Sequence, residues 1–379
     1  MNKAFIINGG SGRVLCSMPA LERYAETDDN FVIVSESWGE LYLCNKKLRD
    51  KVYFPMNKDL FENQLKDRKI ISPEPYRVNQ YFNQKCNLIQ AFDIEINGLD
   101  DVRDTGKINL DLSKEEQITG YNLVDEVRQT LQKEKVIVLQ PFGQSSKMEG
   151  RFIYDTTGRS FEVTNVQQLI EELRDDYGII LMSEIEIPGW QEQGIAHPKG
   201  VDLNKWIGVI NAADYFLGCD SVGQHMANSV GKPATVVIGS TYPENISYPD
   251  NKNFTIIDNG DGRRRYSPIR LTHDIYTDRN NEDLMVLDSS KVKEIVKSIK
   301  DKIGVSKKVT DSKSSTAIPP KKLSPSNSSS VCNNVKGGSY PKKILSTPKS
   351  TVKYNGFQKP KSDKKKPIDK LLDIEAKKV

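Results

Sequence analysis

The chain has 379 residues, 37% of them hydrophobic, and a formal charge of +4, a length that accommodates two α/β domains and a tail. No stretch approaches the ~20 apolar residues of a membrane span, MNKAFIINGG reads as a first strand rather than a secretory h-region, and the five scattered cysteines (Cys16, Cys44, Cys86, Cys219, Cys332) contain no C-x-x-C pair, which argues against a zinc site and for a reducing cytoplasm. The charge is split: from Val305 onward there are 18 lysines, no arginine and 5 acids, about +13, which leaves about −9 for the rest.

In chain order, Lys3 to Asn8 predicts a strand, Gly9 to Gly12 a glycine turn, and Val14 to Ala25 a helix whose Pro19 implies a kink or a late start. Phe31 to Ser35 is a second strand, with shorter ones at 52–55 and 69–72. Pro73 to Asn87 is a loop both polar and aromatic, the kind that faces a cleft, and a helix over 88–97 and a charged connector over 100–109 follow. A second unit opens with a helix over 114–133 and a strand over 136–140 that runs into the small polar turn 141–146. Helices over 161–177 and 203–213 flank a strand at 179–183, and a helix over 291–302 closes the folded part. Strands alternating with helices predict parallel sheets.

The densest stretch is Ala212 to Glu244. Tyr215 to Gly218 reads as a buried strand, Gln224 to Val230 as a helix stopped by Gly231-Lys232-Pro233, and Ala234 to Ile238 as the next strand. Cys219-Asp220-Ser221-Val222-Gly223 therefore occupies a strand-to-helix turn, where free N–H groups and a helix dipole attract an anion, with His225 one turn further on. The plain alternative is that Asp220 or Ser221 only caps the helix.

These residues resemble the donor-binding motif of glycosyltransferase family 9, the lipopolysaccharide heptosyltransferases, which runs D-S-G-x-x-H-x-A-x-x-x-G-x-P. Asp220, Ser221, His225, Ala227, Gly231 and Pro233 match in register, while Val222 stands at the motif glycine, which comes one residue later at Gly223. Gly12, Pro19, Ala20 and Leu21 are similar to the family's glycine turn and proline-containing first helix, with Arg13 where the family carries its general-base aspartate. Thr157 to Phe161 sits before a helix as the family's K-R-W-P does.

The resemblance implies an α/β chain of two Rossmann-like domains with parallel sheets, the GT-B arrangement: residues 1–112 on the acceptor side, 113–304 on the donor side, and a last helix crossing back to the first domain; the Lys/Ser/Pro-rich composition of 305–379, poor in large apolar residues, predicts a disordered tail. The resemblance also implies inverting, metal-independent transfer of a sugar from a nucleotide-diphosphate sugar to an acceptor hydroxyl, with no cofactor beyond that donor substrate. Asp220, Ser221, Gly223 and His225 would hold the donor. Arg159 would face the diphosphate with Ser145 and Ser146 beside it, Glu184 or Glu186 would meet the nucleoside, and Gly10, Gly12 and Arg13 would border the acceptor. The family's usual donor is ADP-heptose and its usual acceptor a lipopolysaccharide core sugar.

Arginine takes no proton near neutral pH, so Arg13 leaves three accounts open. Another carboxylate (Glu36, Glu74 or Asp93) is the base, Arg13 binds an anionic acceptor or donor phosphate, or the protein binds a nucleotide sugar without turnover. The tail lysines, with Tyr340, Tyr354 and Phe357 among them, fit nonspecific contact with nucleic acid or an anionic membrane, or a solubilising extension. Joined to Arg13, they admit a phage-type enzyme that glycosylates hydroxymethylated DNA bases. The turn Asn8 to Arg13 lacks the remaining features of a dinucleotide fingerprint, no G-x-S-x-G elbow is present, and His197, His225 and His273 form no metal triad.

Overall fold

Short apolar runs, buried on both faces, become the centres of two parallel sheets. The computed structural model describes residues 2–150, 152–265 and 283–305; His273, Cys332 and the tail from 306 onward lie outside the described residues. The first sheet contains β1 (Lys3–Ile7), β2 (Phe31–Ser35), β3 (Val52–Tyr53) and β4 (Lys69–Ile71) in the order β3-β2-β1-β4, every pairing parallel. The helices of this half are α1 (Ser11–Thr27), the short α2 (Asn79–Phe82) and α3 (Leu88–Asn97). α1 starts at Ser11 and continues through Pro19, so the late start does not occur: Val14, Leu15, Met18 and Leu21 are buried on both sides of the proline, and their packing outweighs the one backbone hydrogen bond it removes. α3 has a capping box between Asn87 and Gln90 and ends at Gly98, whose φ of +64° is the left-handed C-cap conformation.

α4 (Lys114–Leu131) leads into the second sheet, built from β5 (Val136–Gln140), β8 (Gly178–Leu181), β9 (Tyr215–Cys219), β10 (Ala234–Ile238) and β11 (Phe254–Asp258) in the order β11-β10-β9-β5-β8, again all parallel. Between β5 and β8 come a hairpin of β6 (Ser146–Glu149) and β7 (Phe152–Asp155) and the helix α5 (Val163–Leu173). α6 (Leu203–Ala212), α7 (Val222–Ser229), α8 (Pro243–Ile246) and α9 (Ser289–Ile303) complete the described elements. α4 crosses α6 backbone to backbone at Gly120 and Gly208: a Cβ on Gly120 would lie 2.2 Å from the Gly208 carbonyl carbon, so no side chain fits there.

α9 departs from the expected crossing. Its buried face, Val292, Ile295, Val296 and Ile299, belongs to the core of the second sheet, where it packs on α5 and β10. Lys300 pairs with Asp176 at 2.8 Å and the Tyr177 hydroxyl donates to the Gly304 carbonyl, fastening the helix end to the same half.

Both strand orders reverse beside the first strand of their half, between β1 and β4 and between β5 and β9. Such switch points open a crevice at the carboxyl ends of the strands, where ligands of doubly wound sheets bind. The loops that leave β1 and β9 meet across these crevices. Among the described residues no helix is long and apolar enough to cross a membrane.

Candidate functional site

Two adjoining cavities lie over the switch points. The smaller, about 450 Å³, has Gly9–Arg13 and Tyr76 on the first half and Gly143–Ser145, Thr157, Arg159, Asp220–Val222 and His225 on the second. The larger, about 750 Å³, runs between Trp38, Glu40 and Ser113 and the ends of β8 and α6, with Met182, Glu184 and Trp206 in its walls. Ser11, Gly143, Gln144, Ser221 and Val222 line both, which makes them two parts of one cleft of the size that holds a small molecule. Trp38 has φ +59°, a strained conformation for a bulky residue and one concentrated at functional sites.

The glycine turn after β1 is shaped around Arg13. Gly9 has φ +88°, and a Cβ there would strike the Arg13 side chain at 2.7 Å. Arg13 is 4% exposed and folds back under the turn: Nε and Nη2 donate to the carbonyl and side-chain oxygens of Asn8, both at 2.9 Å, Nη1 to Glu74 Oε1 at 3.2 Å, and Nη2 to the Pro73 carbonyl at 3.3 Å. Its guanidinium also stands over the rings of Tyr76 and Phe92, 5.0 and 5.4 Å from their centres. The Arg13–Glu74 pair thus ties the first turn of α1 to the loop after β4 at the cavity wall.

Asp93 stands apart from the cleft. It accepts from Arg103 Nε at 2.5 Å, Arg103 Nη2 at 2.9 Å and Asn97 at 2.7 Å, so it secures the connector after α3, and it lines neither cavity. Glu36 lines neither cavity either.

On the second half, the turn between β9 and α7 carries Asp220 and Ser221. Neither side chain caps α7. Asp220 Oδ1 accepts from Gln224 at 3.0 Å and Oδ2 from Thr241 at 2.8 Å, while Arg159 Nη1 lies 3.6 Å from Oδ2. Burial raises the Asp220 carboxyl above its ordinary value, and the Arg159 charge and the Thr241 hydrogen bond oppose that rise. Ser221 Oγ accepts from Gln140 at 3.3 Å.

Gly223 lies outside the cavity walls. Its N–H donates to Gln140 Oε1 at 2.9 Å, and a Cβ would collide with that oxygen and with the Phe216 ring. The glycine lets α7 sit close on β9 and β5.

His225 is 3% exposed at the cavity floor, facing Gly12 across the cleft, and its Nδ1 is 2.7 Å from the Tyr248 hydroxyl. Burial, and secondarily the Arg159 charge, depress its pKa to about 3, so the ring is neutral at physiological pH. Cys16 Sγ lies 3.7 Å from Nδ1, and burial pushes this thiol well up, so the two form no thiolate–imidazolium pair.

Arg159, its side chain 30% exposed, sits in a loop whose backbone is held by Asp155, a residue absent from the sequence reading. Asp155 accepts from the Ser145, Thr157 and Ser160 hydroxyls at 2.8, 2.5 and 2.6 Å and from the N–H groups of Thr157, Arg159 and Ser160. Burial works against its charge, but these bonds outweigh it and hold the carboxyl at about 2. Ser145 faces the smaller cavity. Ser146, 2.5 Å from Ser160, faces the larger. Glu184 stands exposed at the larger cavity, and Glu186 lines neither.

Two crevices at opposed switch points, with a glycine turn on one side and an acid-serine-histidine turn on the other, define a recognisable architecture. The chain superposes on ADP-heptose lipopolysaccharide heptosyltransferase II of E. coli with a TM-score of 0.51 and 12% identity, covering 79% of this chain and 98% of that one. The fold is that of family 9 glycosyltransferases. A family 9 enzyme from Veillonella parvula gives a TM-score of 0.52 at 12% identity, over 78% of this chain and 97% of its own. The iron-containing dodecameric glycosyltransferase TibC of enterotoxigenic E. coli gives 0.51 at 13%, over 79% and 76%. No protein-family model matches the sequence, and a comparison with curated proteins finds no match either. At these identities the likeness is one of fold.

Proposed function

We propose that this protein is a glycosyltransferase of heptosyltransferase type, binding a nucleotide-diphosphate sugar in the cleft and transferring the sugar to an acceptor hydroxyl with inversion and without a metal. The observation that carries the reading is the convergence of Arg159, Ser145, Ser221 and neutral His225 on one 450 Å³ cavity at facing switch points. In this reading the diphosphate lies between Arg159 and the start of α7, where a cation and a helix dipole stabilise the charge that grows on the leaving group as the sugar–phosphate bond breaks. The nucleoside extends into the larger cavity toward Met182, Glu184 and Trp206. The acceptor approaches over Gly10 and Gly12.

One observation favours a second reading, donor binding without turnover. Glu74 lines neither cavity and is paired with Arg13, and Arg13 stands where a base would be needed. The DNA-acceptor reading draws on the lysine tail, outside the described residues.

The test is thermal unfolding against a panel of nucleotide diphosphates and nucleotide sugars, wild type beside His225→Ala. A true donor at about 100 times its Kd adds about 2.7 kcal/mol, a rise of a few degrees. The expected outcome is one nucleotide that stabilises wild type and not the variant; no response to any nucleotide defeats the donor-site reading. Release of nucleoside diphosphate on adding saccharide acceptors then separates transfer from binding alone.

A further inference from the structure

His225 is neutral, so its function depends on which ring nitrogen carries the proton, and its surroundings bear on that choice. Nδ1 lies 2.7 Å from the Tyr248 hydroxyl, the length of a bond donated by O–H and shorter than the usual N–H···O bond. Of the two groups the phenol is the better proton donor and a neutral imidazole nitrogen the better acceptor, so the phenol proton is directed to His225 Nδ1. Burial keeps the phenol protonated. The remaining neighbour, the Cys16 thiol, stands at 3.7 Å from Nδ1 and 3.9 Å from Nε2, too far to compete with a 2.7 Å bond.

We propose that Tyr248 is a positioning residue: its hydroxyl donates to His225 Nδ1, fixes the ring proton on Nε2, and presents that N–H to an oxyanion, of the kind a diphosphate carries, seated in the cleft between Gly12 and Arg159. The ligand half of this statement rests on the donor-site reading above. It also gives His225 a definite role. An Nε2–H ring donates a hydrogen bond and is no proton acceptor, so His225 does not take the place of the missing general base.

The full chain labelled with 15N-histidine tests this by long-range proton–nitrogen spectra recorded without nucleotide. The chain has only three histidines, and His225→Gln assigns the signal. The expected wild-type spectrum has Nδ1 unprotonated and Nε2 protonated; the reverse overturns the proposal, with no variant needed. Tyr248→Phe is expected to redistribute the proton between the two nitrogens and to weaken ADP or UDP binding by the inverse of the remaining Nε2–H fraction, about twofold for an even split. An unchanged tautomer in Tyr248→Phe overturns the role of the tyrosine. A changed tautomer with unchanged nucleotide affinity overturns the contact with the oxyanion. If wild type binds neither ADP nor UDP, the donor-site reading falls and takes the ligand half with it, while the spectra still decide the tautomer.

Discussion

At the scale of single residues, the acceptor side of the cleft is governed by one buried ion pair. Arg13 and Glu74 side chains are 4% and 10% exposed, so removing either takes an opposite charge at 3.2 Å away from a group that water scarcely reaches. Arg13→Met is therefore expected to lower stability by about 3–5 kcal/mol, and Arg13→Met with Glu74→Leu to recover most of that loss; urea unfolding of the three proteins checks it. His225 supplies a pH signature. Its pKa falls from 6.5 to about 3 on folding, so between those values the unfolded chain binds a proton that the folded chain does not. Stability contributed by the neutral ring is present above 6.5 and is lost as pH falls toward 3. Asp155, lowered to about 2, adds a loss in the same sense below its ordinary 3.8, and Asp220, whose carboxyl is raised, opposes both at the acid end. Among its neighbours Cys16 and Tyr248 stay uncharged and Arg159 stays cationic, so His225→Gln is expected to flatten the stability profile between about pH 6.5 and 4, measured by denaturant titrations across pH.

At the scale of elements, the tightest contact is the α4–α6 crossing. Gly120→Ala or Gly208→Ala forces a methyl to within 2.2 Å of facing backbone and is expected to cost about 1–3 kcal/mol, read as a lower melting temperature with the nucleotide response retained. The same scale shows what could be read from sequence. β5 and β10 and the helix α3 declare themselves through uninterrupted apolar runs or an apolar face with a capping box at its start. The β6–β7 hairpin escapes because Lys147 and Glu149 alternate with Ser146 and Met148 in a stretch too polar to stand out, and its turn is signalled only by Gly150 at φ +64°. β11, Phe254–Asp258, carries a plain strand signal that went unused. At the site, Asp220, Ser221 and His225 were legible because one turn brings them together. Asp155 and Tyr248 were not, since their partners lie across loops that only the folded chain closes. Glu74 could be proposed from its loop, but its engagement with Arg13, 61 residues away, follows from β1 lying beside β4.

At the scale of the molecule, the two sheets share contacts that should make them unfold together. One apolar cluster extends from Phe5 and Leu15 to Phe216 and Val236, and Asn245 of the second half donates to the Tyr81 and Cys86 carbonyls of the first at 2.6 and 3.0 Å. Tryptophan reports on both: Trp38 on the first half, Trp190 and Trp206 on the second. Fluorescence of Trp38→Phe, and of a variant keeping Trp38 alone, is expected to give coincident unfolding midpoints in denaturant once each is referred to its own circular-dichroism transition; separated midpoints would mean the halves melt independently. The floor of the cleft adds a mechanical consequence. Gly12 and His225 approach so closely that a single methyl at position 12 would stand 3.3 Å from the imidazole Cδ2. A methyl there would oblige the imidazole or the glycine turn to give by a few tenths of an ångström, so the clearance between the two halves at this point is the width of an atom the chain leaves out.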